Sequence, residues 1–383
     1  MTNVLINCLS LNSQFSGIDY YMKNLLDEFS MRAHQEINIS ALLSSHSKLQ
    51  LRESPQGLLK QNRLRINTAN RFRRIYFENF LLAAYQRKHG FNIYHSPNYV
   101  LPFFTKQPSV LTVHDTISLD FPDYSQTETA IYHRLAFMRS MRHASRIIAV
   151  SNTVKNDILK KVNIDSDKIT VIYNGVHKHF KREHSPAKLS EIRHRYSLPE
   201  RFILFVGNLE PKKNLERLIK AFHIFKKNSE HPHKLVLAGR CGWKYSSVYQ
   251  AVEDLNLRSE VIFTGYVNEN ELPAMYSLAD LFVFPSLYEG FGIPPLEAMA
   301  CGTPTLTSTA GALPEVTGNV PLQVNPLDIE DIATGMHTLL QDELLRARAI
   351  EKGIAWASQF TWSSTADKTL QVYQSLVNEC KGK

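Results

Sequence analysis

Short apolar runs of strand length alternate with segments of helical period along all 383 residues, and this alternation limits the fold more than any other feature. Strand-like runs in the first half are Val4–Leu9, Ile37–Leu43, Ile93–His95, Val110–His114, Ile147–Val150 and Ile169–Tyr173. Between them lie Tyr20–Phe29, Phe77–Arg87, Ile131–Arg142 and Val154–Val162, whose apolar residues recur at helical spacing. The second half restarts the series with Phe202–Val206, Leu235–Ala238, Val261–Thr264, Leu281–Phe284, Thr305–Thr307 and Leu322–Val324. Alternation of this kind predicts parallel sheets covered by helices on both faces, and two series predict two doubly wound α/β domains. The polar stretch His177–Pro186 marks the break, giving domains at 1–180 and 181–362. A last amphipathic helix, carrying Leu370, Val372, Tyr373 and Leu376, occupies 363–383.

A hydrophobic content of 43% and a charged content of 21% exclude a disordered, collagen-like or coiled-coil chain. No apolar run reaches the roughly 18–20 residues of a membrane helix. The start, Met1–Ser13, lacks a basic stretch and a cleavage site, so it reads as a strand rather than a signal peptide. Cys8, Cys241, Cys301 and Cys380 lie far apart, forming neither a metal-ligand pair nor a disulfide framework, which predicts a reducing cytoplasm. The net charge of +8 is unevenly held: residues 1–180 carry 22 Lys+Arg against 13 Asp+Glu, and the remainder 22 against 23. Such asymmetry points to an anionic partner, whether nucleic acid, membrane or ligand.

The densest chemical signal runs from Pro285 to Pro304, directly after the strand Leu281–Phe284. Gly290 and Gly292 let a ligand approach the main chain. Pro294 and Pro295 suit a helix start and Gly302 a helix end. Because the residue before a proline resists the α region, Ile293 is expected outside the helix, Glu289 in the loop and Glu297 in the first turn. The amides of Phe291, Gly292 and Ile293 are placed to hold an anion, aided by the helix dipole. Glu297 has a plainer reading as an acid that merely favours the dipole. Lys212 and Lys213 precede another helix, where two cations oppose the dipole; that favours anion binding over a merely solvated helix start. Asp165-Ser-Asp167 has a metal-binding look, but it lies in a loop where both residue types are ordinary turn formers. Asn38-Ile-Ser40 fits a glycosylation acceptor, inert in a cytoplasmic protein.

The segment 285–304 resembles the Glu-x7-Glu signature of glycosyltransferase family 4, retaining enzymes of the two-domain GT-B fold. Phe205–Ala221 is similar to the family's first strand, loop and helix of the C-terminal domain, and Gly311–Val316 to its Gly-x-x-Pro-Glu loop. Val113-His-Asp115, Ala149-Val-Ser151, Asn174-Gly-Val176 and Phe360-Thr-Trp362 match further landmarks, so the resemblance spans about residues 16–376. It implies two Rossmann-like domains facing a cleft: an acceptor-side domain at 1–180, a nucleotide-sugar domain at 181–362 and a closing helix that returns to the first. It further implies that Glu297 binds the ribose hydroxyls, Glu289 the donor sugar, and the amides after Gly290 the diphosphate. Lys212 and Lys213 would stabilise charge on the leaving diphosphate, so no metal or other cofactor is expected. His114, a strand-end histidine of a kind more often structural, would sit beside the donor sugar. The family's first loop is glycine-rich with an arginine, whereas here it reads Ser16-Gly-Ile-Asp-Tyr-Tyr21, and only Gly17 carries over.

The implied reaction moves a hexose from a GDP- or UDP-sugar to a hydroxyl of a glycan or polyprenyl-diphosphate-linked acceptor, as in bacterial O-antigen or exopolysaccharide synthesis. Two other readings share the features: a sugar-nucleotide epimerase of the same fold, and a non-catalytic anionic-membrane binder. Residues 60–75 carry Lys60, Arg63, Arg65, Arg71, Arg73 and Arg74 interleaved with Leu64, Ile66, Phe72 and Ile75, with no acid between Glu53 and Glu78. This window suits the anionic inner face of the plasma membrane, each cation near the surface contributing about 1 kcal/mol, or else a solvated helix with alternate core residues. Nucleic acid is set aside, since one basic patch without a binding motif is thin support.

Overall fold

The computed structural model describes residues 1–11, 17–32, 36–45, 47, 59–65, 70–103, 107–120, 127–228 and 231–381. The chain divides into two compact units, one of Met1–Gly175 with Trp362–Lys383 and one of Val176–Thr361. The first holds a seven-stranded sheet ordered β3-β2-β1-β4-β5-β6-β7, built from β1 (Thr2–Asn7), β2 (Ile37–Ser44), β3 (Leu59–Leu64), β4 (Ile93–Ser96), β5 (Ser109–Val113), β6 (Arg146–Ala149) and β7 (Ile169–Val171). The second holds a six-stranded sheet ordered β10-β9-β8-β11-β12-β13, from β8 (Phe202–Val206), β9 (Lys234–Ala238), β10 (Val261–Gly265), β11 (Leu281–Phe284), β12 (Thr305–Ser308) and β13 (Leu322–Val324). Every recorded strand pair is parallel.

Central strands are apolar on both faces because helices cover both, as Val4, Leu5 and Ile6 of β1 and Phe202–Phe205 of β8 show by their burial. Strand order reverses between β1 and β4 in one unit and between β8 and β11 in the other. Ligands of open parallel sheets bind outside the carboxyl ends of strands at such points. The helix Trp362–Lys381 belongs to the first unit, where Trp362, Ala366, Leu370, Tyr373 and Leu376 join the core of Leu25, Phe29 and Ile6.

Two expectations change. The basic window is not one helix: Leu59–Leu64 is β3, paired in parallel with β2, followed by the helix Arg71–Tyr76. β3 stands at the sheet edge, where charged residues are common and the apolar signature of a central strand is absent. Residues 66–69 of the window lie outside the described residues, as does Ser16 of the first loop. The second change concerns Ile293, which is the first residue of the helix Ile293–Ala300. Prolines at the second and third positions remove no hydrogen bond, since first-turn N–H groups have no intrahelical acceptor, and this overrides the pre-proline bias. Glu297 therefore sits in the second turn. Among the described residues, no helix is long and apolar enough to cross a membrane.

Candidate active site

In the second unit two loops meet where strand order reverses. After β8 the chain forms the 3-10 turn Pro211–Lys213; after β11 it forms the loop 285–292. The Leu287 N–H donates to the Lys212 carbonyl at 2.8 Å. Asn214, buried and left-handed at φ 63°, donates from Nδ2 to the Pro285 carbonyl at 3.0 Å and the Pro326 carbonyl at 2.6 Å. Its own carbonyl accepts from the Leu218 N–H, so one residue both starts the helix Leu215–Asn228 and ties down the glycine loop.

This clamp brings Lys213 and Glu289 together. Lys213 Nζ lies 2.6 Å from Glu289 Oε1, with side-chain exposures of only 12% and 11%, and 4.7 Å from the centre of the Phe284 ring. Burial pushes the Lys213 ammonium below the ordinary lysine range, and the attraction of Glu289 only partly offsets it. For Glu289 burial acts upward, but Lys213 and Lys212 outweigh it and the carboxyl ends below its ordinary value. Each group thus favours the charged form of the other, against a burial that opposes charge on both. The family resemblance implies different parts of a donor for the two side chains; the structure shows them as one ion pair.

Around Glu289 the backbone is close-packed. Gly311 has φ +59°, and a Cβ there would stand 2.6 Å from the Glu289 carbonyl oxygen. The Ala312 N–H donates to that carbonyl at 2.8 Å. Gly292 has φ +95°, and a Cβ there would meet Leu313 Cδ2 at 2.5 Å. Gly290, Phe291 and Gly292 are buried, and among the described residues the Gly292 and Ile293 amides have no acceptor. Two free amides at a helix N-terminus, with Lys212 and Lys213 close enough to shift Glu289, make a place for an anion.

Glu297 is 6% exposed and accepts a hydrogen bond from the Tyr276 hydroxyl, 3.1 Å away on the helix Leu272–Leu278. Sequence reasoning missed Tyr276 and Asn214. Nothing local marks the tyrosine, while an asparagine directly before an apolar helix is a legible helix-start signal.

In the first unit His114 follows β5. Its Nε2–H donates to the Pro97 carbonyl at 3.0 Å, and its ring lies edge-on to Tyr21 with centroids 4.8 Å apart. Burial lowers it to about 4, although Pro97 and Asp115 act upward, so it is neutral at pH 7. Below it lies a buried polar chain: His95 Nδ1 to the Tyr373 hydroxyl at 2.5 Å, and His95 Nε2 to Thr112 Oγ1 at 2.8 Å. Gly17 opens the helix Gly17–Ser30 in free space, where a Cβ would meet nothing within 4 Å. Asp165 has a turn role, its side chain accepting from the Asp167 N–H at 2.9 Å.

Comparison with known proteins identifies the family and the fold. Residues 190–356 match the family of glycosyl transferases group 1, and residues 15–180 match glycosyltransferase family 4. The chain is 32% identical over 285 residues to O-antigen chain mannosyltransferase B of Escherichia coli, covering 74% of each protein. Among solved structures it is similar to sucrose-phosphate synthase from Thermosynechococcus elongatus (TM-score 0.77, 21% identity, 99% of this chain and 100% of that one). It is also similar to Anabaena HepE in complex with UDP-glucose (TM-score 0.75, 18% identity, 98% and 100%). Those likenesses establish the GT-B fold, and with the matches along both halves the chain belongs to glycosyltransferase family 4.

Proposed function

We propose that the protein transfers a hexose, with retention of anomeric configuration, from a nucleoside diphosphate sugar to a hydroxyl of a growing surface glycan on a lipid carrier. The ion pair of Lys213 and Glu289 beside two free helix-start amides carries the reading. The amides and the lysines suit a diphosphate, on which negative charge grows as the glycosidic bond breaks. Fixed cations stabilise that state more than the ground state. No metal is assigned a role, because the two lysines and the amides already supply positive charge where the leaving group needs it. Glu289 faces the sugar as an acceptor for hydroxyls, and Glu297 accepts from the ribose.

Retention is assigned to front-face attack. Glu289 is neutralised by Lys213 and Glu297 is engaged by Tyr276, so neither is the free nucleophile of a retaining hydrolase. The name of the Escherichia coli relative makes a nucleoside diphosphate mannose the first donor to try, with GDP or UDP as the nucleotide, and an O-antigen acceptor the first context. Incubation of the full chain with GDP-mannose or UDP-hexoses and a prenyl-diphosphate-linked sugar tests the reading, with the anomeric configuration of the product read by proton NMR. An inverted product would overturn the retaining assignment. Calorimetric silence towards both nucleoside diphosphates would overturn the donor site, and isomerisation of the donor without an acceptor would favour an epimerase.

A further inference from the structure

Residues Arg71–Lys88 form a broken helical rod: α-helical over Arg71–Tyr76, π-helical over Phe77–Leu81 and α-helical again over Leu82–Lys88. The π turn has a packing consequence. The Leu82 N–H bonds the Phe77 carbonyl, so residues five apart face the same way, and Phe77 and Leu82 both enter the core at 6% and 0% exposure. The opposite side is left to four large apolar residues: Phe72 at 83% exposure, Tyr76 at 57%, Phe80 at 59% and Leu81 at 45%. The rings of Tyr76 and Phe80 lie 5.3 Å apart, so the face is continuous rather than scattered. Isolated exposed apolar side chains need no explanation; four on one face of one element do.

The charges on the rod point the same way. Arg73 lies exposed at one end, and Arg87 and Lys88 lie exposed at the other. From Ser54 to His114 the sequence holds a single acid, Glu78. That acid is turned inward, where Glu78 Oε1 accepts from Asn7 Nδ2 at 2.9 Å and burial raises its pKa. An aromatic face flanked by cations, with its one acid withdrawn, is complementary to a negatively charged lipid surface, where rings sit at headgroup depth and cations meet phosphates.

We infer that the outer face of Phe72–Leu81, shifted towards the C-terminus from the basic window seen in sequence, docks the protein on an anionic bilayer. Docking of this kind would hold the first unit at the surface where a lipid-linked acceptor is presented. The inference rests on exposure and charge alone and stands apart from the transfer chemistry.

Co-sedimentation of the full chain with vesicles tests it. The protein should pellet with vesicles of phosphatidylethanolamine and phosphatidylglycerol, less at high salt, and stay in solution with phosphatidylcholine. The triple variant Phe72→Ser/Tyr76→Ser/Phe80→Ser should lose about tenfold or more in partitioning. Its thermal midpoint and its affinity for nucleoside diphosphates should stay at parent values. Arg73→Glu/Arg87→Glu should weaken binding as well, whereas Leu344→Ser, at an apolar residue 73% exposed in the other unit, should not. Equal partitioning of parent and triple variant overturns the inference. So does self-association of the parent that the triple variant abolishes, because a second copy would then cover the face.

Discussion

The Lys213–Glu289 pair shows why neither side chain is read correctly alone. Each favours the charged form of the other, against burial that acts on both. Replacing one partner leaves an uncompensated charge in a site of low exposure, which costs roughly 3–5 kcal/mol. Glu289→Gln should therefore lower stability by that order and turnover by at least about a hundredfold, read by chemical denaturation and by initial rates. Lys213→Met should lose turnover similarly and weaken diphosphate binding as well. Glu297→Gln should weaken nucleotide binding most, since the amide donates where two hydroxyl donors need an acceptor. Wild-type transfer by both glutamate variants would refute the site. The buried histidines set a pH limit. His95 is lowered by burial to about 3 and His114 to about 4, from an ordinary 6.5. Both folded values lie below the unfolded one, so the unfolded chain binds more protons between about pH 6.5 and 4. The first unit should lose stability as pH falls through that window, by up to about 1.4 kcal/mol per pH unit per histidine. His95→Gln should flatten the slope measured by denaturation at several pH values.

The elements that hold the site are loops whose glycines accept close backbone contact. Gly311→Ala combines a left-handed φ with a Cβ pressed on the Glu289 carbonyl and amide. It should cost roughly 1–3 kcal/mol and lower turnover more than nucleotide affinity, because it displaces Glu289 rather than the helix-start amides. Equal losses in kcat and affinity would show that the whole loop had moved. How much of this was legible in sequence follows from which force sets each element. β8 and β11 are buried on both faces, so apolar runs such as Phe202–Val206 announce them, and the Glu289–Glu297 segment stands out by its glycines and prolines. β3 is polar because it is an edge strand, so Leu59–Leu64 hides inside a basic window. The π turn at Phe77–Leu81 brings Phe77 and Leu82, five apart, to the same buried side, a spacing outside the ordinary helical period by which sequence reading finds a helix face. The Lys213–Glu289 contact spans 76 positions and depends on Asn214 holding two carbonyls, one of them from Pro326, which no spacing rule connects.

At the scale of the whole molecule, the first unit is completed by the last residues of the chain. Trp362, Ala366, Leu370, Val372, Tyr373, Leu376 and Val377 all sit in its core at 9% exposure or less. Arg32 Nε meets Asp367 Oδ1 at 3.0 Å, and Arg146 pairs with Glu379. Burying the six larger of these side chains contributes about 1.5–3 kcal/mol each, roughly 9–18 kcal/mol together against an extended unfolded chain and less against a compact one. A typical domain is stable by only about 5–15 kcal/mol. A chain ending at Thr361 should therefore lose the fold of its first unit at ordinary temperature. The Val176–Thr361 unit keeps its own sheet and core, and should still bind a nucleoside diphosphate by calorimetry while transfer activity vanishes. Tyr373→Phe is the milder probe of the same dependence. It removes the hydroxyl that His95 Nδ1 meets at 2.5 Å and leaves a fully buried imidazole nitrogen without that partner, at a cost of about 1–3 kcal/mol. Because His95 is neutral at pH 7, that loss should be independent of salt. Tyr373→Phe should lower the unfolding midpoint equally in low and high salt, whereas Arg32→Ala, which cuts a partly exposed ion pair, should show its smaller effect mainly in low salt.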